Sequence, residues 1–152
     1  MSEVRFEVLG HVALVTGAGS GIGRSIAVAL AAVGVAVGIA DKDAARVASA
    51  TEAAQRGGAR VHGSVADVAR ADDIRRVVSE VSDRLGSIDI LVNCAGIFPR
   101  SSVLEMSEEE WDRTSDTNVK SCFLASQAVL PAMIARKWGR IISITSGLGM
   151  TG

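Results

Sequence analysis

A short apolar run, His11–Val15, leads directly into Thr16-Gly17-Ala18-Gly19-Ser20-Gly21-Ile22-Gly23, and helical periodicity begins at about residue 22. Few backbones tolerate so many glycines at one turn. Glycine opens positive φ to the chain and lets another group approach it closely. At the N-terminus of a helix, such a turn also leaves N–H groups free for phosphate oxygens. Gly17, Gly21 and Gly23 follow a G-x-x-x-G-x-G spacing rather than the commoner G-x-G-x-x-G. Because any tight turn favours glycine, the argument rests on context, a strand before and a helix after. The segment reads as a pyrophosphate cradle.

The same alternation continues along the chain. Val35–Ala40, Arg60–His62, Ile88–Val92 and Arg140–Ile144 read as further strands, with helical segments at about 22–33, 43–56, 71–85 and 108–137. Ile74, Val77, Val78, Val81 and Leu85 form one apolar stripe at helical spacing, and Asp72 and Asp73 suit the first turn of that helix. Ser107 and Glu110 make a capping box, and Pro131 should kink or restart the last helical stretch. Strands that are apolar throughout and separated by helices imply a parallel sheet covered on both faces. With right-handed crossovers this is an α/β, Rossmann-type doubly wound sheet of order 3-2-1-4-5, in three α/β/α layers. Residues 1–152 are read as one nucleotide-binding domain, incomplete at its C-terminal end.

Other function classes are disfavoured by composition. The formal net charge is −1, so no field that gathers nucleic acid or anionic lipid is expected. The uncharged stretch Ile26–Ala40 is 15 residues long and broken by Gly34 and Gly38, too short to span a bilayer. Met1–Gly10 has no apolar signal-peptide core. Cys94 and Cys122 form no disulfide framework, and no metal pattern with His11 and His62, so free thiols in a cytoplasmic protein are expected.

The second strand ends at Asp41, 18 residues beyond Gly23. A carboxylate there can accept both ribose hydroxyls and repels a 2′-phosphate, which favours NAD over NADP. Lys42 beside it could tolerate the phosphate. Asp41 also fits a turn or cap residue, and both readings stay open.

Together with later landmarks, these residues resemble the short-chain dehydrogenase/reductase family. The resemblance rests on the glycine turn, Asp67-Val68, Asn93-Cys94-Ala95-Gly96, Asn118 in Asn118-Val119-Lys120, and Ser146 in Ile144-Thr145-Ser146. It implies that Gly17, Ser20, Gly21, Ile22 and Gly23 line the cofactor, and Ser20 again points to NAD. It implies that Asp67 bonds the adenine amino group with Val68 beside the ring, although Asp67 could equally cap the next helix. Asn93, Ala95 and Gly96 would lie beside the cofactor ribose. Cys94 departs from the family's usual Asn-Asn-Ala-Gly; as a small apolar filler it should have a modest effect on stability. Asn118 would bind a water that relays protons, or be a polar core residue on a largely buried helix. Ser146 would polarise the substrate oxygen, with Ser143 and Thr145 as chemically similar neighbours.

The implied activity is an NAD(H)-dependent interconversion of a secondary alcohol and a ketone, by a protein expected to form a dimer or tetramer. The family's general base is a tyrosine in Tyr-x-x-x-Lys, and this chain contains no tyrosine. Two expectations follow. The chain is the N-terminal part of such an enzyme and inactive alone, or it is a non-catalytic dinucleotide-binding module. An unpaired fifth strand would favour association.

Overall fold

The computed structural model of the chain describes residues 8–146; Met1–Glu7, part of the amino-terminal stretch read above, and 147–152 lie outside the described residues. Five strands, β1 (Val12–Thr16), β2 (Ala36–Asp41), β3 (Val61–Val65), β4 (Ile90–Asn93) and β5 (Arg140–Ser143), form one sheet in the order β3-β2-β1-β4-β5. Every neighbouring pair is parallel. The helices are α1 (Gly21–Ala32), α2 (Ala44–Gln55), α3 (Ala71–Leu85), α4 (Glu108–Ser115) and α5 (Ser121–Ala135). The expected doubly wound architecture is present.

Successive side chains of a strand point to opposite faces, and β1 fills two cores this way. Ala13 and Val15 join Ala27 and Ala31 of α1 and Ala50 and Ala54 of α2. Leu14 joins Val77 and Val81 of α3 and Ala125, Val129 and Met133 of α5. The stripe expected on α3 is buried at Ile74, Val77, Val81 and Leu85. Burying aliphatic side chains of this kind contributes about 1.5–3 kcal/mol each. Gly38 lets α3 sit close: a Cβ there would lie 2.6 Å from Val81 Cγ2.

Two expectations change. Strand β3 runs on to Val65, because its register with β2 continues to Asp41↔Val65. The long C-terminal helix is interrupted at a π-helical turn, Asp116–Lys120, and not at Pro131, which is exposed within α5. A π turn inserts an extra residue and re-aims side chains around it. Here it turns Asn118 toward the loop after β4.

Helix α5 ends in a left-handed residue that is not glycine. Lys137 has φ 56°, its N–H donates to Ile134 O, and the Trp138 N–H donates to Met133 O. Those two bonds make a Schellman cap. At the sheet edge remote from the glycine turn, Asp89 accepts from the Val12 N–H (3.0 Å) and from Arg136 (3.0 Å). This knot sets where β4 begins, two residues later than the hydropathy suggests.

Candidate functional site

The carboxyl ends of β1, β2 and β4 open onto a cleft of about 690 Å³. Close packing of the glycine turn builds its floor. A Cβ on Gly17, whose φ is +63°, would lie 2.6 Å from Ala95 Cα, and one on Gly23 would lie 2.3 Å from Gly17 O. The turn therefore rests directly on the Asn93–Gly96 segment. Thr16 fastens the two: its Oγ1 accepts from the N–H groups of Cys94 (3.1 Å) and Ala95 (3.3 Å) and donates to Val92 O (3.4 Å). Sequence reasoning gave Thr16 no role, since that role exists only once β4 lies beside β1.

Helix α1 begins at this turn. Its N-cap, Ser20, makes no side-chain capping bond, and its first turn carries no acid. By contrast Asp43 caps α2 through the Arg46 N–H, and Ser107 caps α4 through the Glu110 N–H, the expected half of a capping box, while the Glu110 carboxylate accepts from the Ser101 hydroxyl. The opening N–H groups of α1 are thus left for an anion.

Asp41 ends β2 with both carboxylate oxygens engaged. Oδ2 accepts from the Gly19 N–H (3.0 Å) and Oδ1 from the Asp43 N–H (3.1 Å). The turn-forming reading of Asp41 is therefore physically present, and each oxygen keeps a further lone pair on a residue that lines the cleft. Gly19 has no room for a side chain, because a Cβ would meet the Asp41 carboxylate at 2.8 Å and Arg46 Cβ at 2.7 Å.

Asp67 and the buried Val68 form the facing wall. Asp67 is not the cap of α3; that position is Arg70. Instead Asp67 Oδ1 accepts from the Ala69 N–H (3.0 Å), while the Asp67 N–H donates to Asp73 Oδ2 (2.9 Å). That backbone bond holds the Asp73 carboxyl below its ordinary range.

Gly17, Ser20, Gly21, Ile22 and Gly23 line the cleft together with Asp41, Asp67, Val68, Ala95 and Gly96. Three expected residues lie apart from that lining. Asn93 is buried, its Nδ2 donating to Ser143 Oγ (3.4 Å) and its carbonyl accepting from the Ile144 N–H (2.9 Å). Ser146 is exposed just past the carboxyl end of β5. Asn118 sits on the π turn with its amide spent on the backbone of Ile97. The sequence suggested a largely buried helix around it, but Asn118, Val119 and Phe123 are exposed, and α5 buries one face only, at Ser121, Ala125, Val129 and Met133. Cys94 is half-buried on the cleft wall rather than a sealed filler, and burial pushes its thiol up. The cleft takes in Lys42, which the sequence placed beside the ribose site, and also Arg46, Arg113, Thr117 and Ile144, to which sequence reasoning gave no cofactor contact. Among the described residues, no group of three or more His, Cys, Asp or Glu lies together as a metal site would require, and no helix is long and apolar enough to cross a membrane.

Comparison with known proteins agrees with this geometry. The short chain dehydrogenase family model matches residues 11–152. The BbsD subunit of the (2S)-[(R)-hydroxy(phenyl)methyl]succinyl-CoA dehydrogenase of Thauera aromatica is 39% identical over 89% of this chain and 54% of its own length. The 3-oxoacyl-[acyl-carrier-protein] reductase FabG of Thermotoga maritima is 36% identical over 94% of this chain and 58% of its own. An NAD+-bound xylitol dehydrogenase structure superposes with a TM-score of 0.91 at 30% identity, covering 97% of this chain and 57% of that one. The chain thus spans little more than half the length of these relatives. With a family model matched along almost its whole length and a sheet and glycine turn of the same form, the chain belongs to the short chain dehydrogenase family.

Proposed function

We propose that the chain is the nucleotide-binding part of an NAD(H)-dependent oxidoreductase that interconverts a secondary alcohol and a ketone. The observation that carries this reading is the cradle at Gly17 and Gly23, too tight for any Cβ, beneath an uncapped helix N-terminus. Those features suit a dinucleotide. The N–H groups opening α1 hold the pyrophosphate, the Asp41 oxygens accept the adenosine ribose hydroxyls, and Val68 packs beside the adenine. When bound, the nicotinamide carries the hydride. Ser146, past the end of β5, donates to the substrate oxygen and polarises it for transfer. Asn118 positions the loop that walls the nicotinamide end.

Support for hydroxyl–carbonyl chemistry comes from the relatives, named as two dehydrogenases and a 3-oxoacyl reductase. Support for NAD comes from Asp41 and Ser20, and from the NAD+ on the xylitol dehydrogenase. None of the 152 residues is a tyrosine, so we expect this chain alone to bind nucleotide without turnover. The free thiols of Cys94 and Cys122 accord with a cytoplasmic setting. Exposed Trp111, Val119, Phe123 and Ile134 on the outer side of α4–α5 accord with self-association.

Calorimetric titration of the chain with NAD+ tests the reading. Saturable binding that Gly17→Ala removes supports it, and no binding by the folded chain overturns it.

A further inference from the structure

Five charged residues line the cleft, and four of them, Asp41, Lys42, Arg46 and Asp67, lie on the segments at and after the ends of β2 and β3. The fifth, Arg113, comes from α4. With Thr117 it joins the lining contributed by the loop after β4, at Ile97, Phe98 and Pro99, and by Ile144 after β5. Because β1 stands between β2 and β4 in the sheet, these two groups lie on opposite sides of the glycine turn. The side away from the adenosine site therefore carries one cation among apolar side chains.

Among the described residues nothing uses that charge. Acids lie one helical turn away in both directions, but each is engaged elsewhere. Glu110 accepts from the Ser101 hydroxyl at 2.6 Å, and Asp116 pairs with Lys120 at 3.1 Å. Glu109, four residues back, is held below its ordinary range by its own backbone N–H and by the Ser107 hydroxyl. Helix α4 runs on into the π turn, so no free helix end compensates the guanidinium. Among the described residues the Arg113 side chain has no hydrogen-bond or ion-pair partner, and neither has the Thr117 hydroxyl.

A guanidinium presents a planar fork that fits a carboxylate with two parallel bonds, and a nearby hydroxyl can add a third. One cation matches a monoanion, whereas a dianion calls for a second. Ile97, Phe98 and Pro99 suit a short carbon skeleton, and Ile144 stands two residues before Ser146. The paired hydrogen bonds between Asn118 and Ile97 hold this wall ready before a ligand arrives. We propose that Arg113, with Thr117, is a specificity-determining residue that selects a ketone or secondary alcohol bearing a carboxylate, that is, an oxo acid and its hydroxy acid. The inference rests on the oxidoreductase reading above and deepens it by naming the substrate class.

A matched pair of probes isolates the charge: 4-oxopentanoate and its methyl ester share the ketone and differ at the carboxylate. Each is titrated by NMR into the 152-residue chain saturated with NADH. The acid should bind about three- to fivefold more tightly than the ester and shift the amide signals of Ile97 and Thr117. Arg113→Gln should abolish that preference, and Arg113→Lys should keep part of it, because charge remains without the fork. Added salt should weaken the acid and leave the ester unchanged. Equal affinity for acid and ester overturns the inference. So does an acid preference that survives Arg113→Gln, or binding of neither probe to the NADH-loaded chain. Failure of the folded chain to bind NADH would sink the dinucleotide reading, and this inference with it.

Discussion

Asn118 and Ile97 are joined by two hydrogen bonds in opposite directions: the Ile97 N–H donates to Asn118 Oδ1 at 2.8 Å, and Asn118 Nδ2 donates to Ile97 O at 2.9 Å. One side-chain amide thus imitates a strand partner for a backbone that has none. Gly96 lies beneath this pair, where a Cβ would sit in ordinary contact with Asn118 Oδ1 at 3.4 Å. Through this pair the π turn of one segment holds the loop that walls the cleft.

Asn118→Ala should therefore loosen the loop without unfolding the protein. Two bonds are lost at an exposed site where water replaces them in part, so the stability cost is about 1–2 kcal/mol. Amide exchange at Ile97 should accelerate more than exchange in β4. Equal protection of Ile97 in both proteins would refute the clamp.

The two positive-φ glycines of the cradle give a contrast. Gly17→Ala adds a Cβ 2.6 Å from the Ala95 backbone, whereas Gly21→Ala places its Cβ in open space. Both incur left-handed strain of about 1–2 kcal/mol, but only the first must also push two strand ends apart. Chemical denaturation should rank Gly17→Ala as clearly the less stable, with nucleotide binding lost. Equal losses would mean that the turn yields.

Much of this architecture could be read directly from the residues, and the exceptions share a cause. Strands β1, β2 and β4 are buried on both faces, so their apolar runs mark them within two residues. Strand β3 pairs only with β2 and carries Gly63 and Ser64, so its hydropathy fades before its hydrogen bonds end. Cleft residues stood out where the fold needs a glycine or a carboxylate at a fixed place, as at Gly17 and Asp41. Thr16, the π turn and Asp89 stayed hidden because their partners lie distant in sequence: Cys94 for Thr16, Ile97 for Asn118, and Val12 and Arg136 for Asp89. Local patterns cannot announce a contact that only the assembled sheet creates.

Lys137 occupies the left-handed position of the Schellman cap at the end of α5. Glycine adopts that conformation without the Cβ penalty, so Lys137→Gly should stabilise the chain by about 1 kcal/mol. The gain would appear as a raised denaturation midpoint. A loss would show that the lysine side chain makes a compensating contact.

Glu80 predicts how acid acts on the β3–α3 contact. The Ser64 hydroxyl donates to Glu80 Oε2 at 2.7 Å and Arg76 binds Oε1 at 3.0 Å, and these hold the carboxyl below its ordinary value of 4.5, the Ser64 bond foremost. A folded-state value below the unfolded one stabilises the protein above the unfolded value. That contribution is lost as pH falls below 4.5 through the lowered folded value. Ser64→Ala should therefore reduce stability near neutrality and flatten its acid dependence. An unchanged slope between pH 5 and pH 3 would remove Glu80 from the account.

Among the described residues strand β5 is one edge of the sheet, with Ile141, Ile142 and the following Ile144 between 38% and 47% accessible to solvent. Edge strands with apolar faces and unpaired N–H and C=O groups recruit other strands, and the one charged residue within β5 is Arg140. The chain should therefore associate in solution at micromolar concentration. Ile142→Lys places a charge on that edge without touching the cleft lining, so it should shift sedimentation toward the monomer while leaving nucleotide affinity intact. Wild-type chain that sediments as a single monomer, with cooperative unfolding, would overturn this prediction. Association that survives Ile142→Lys would shift attention to Phe123 and Ile134, exposed apolar residues on α5.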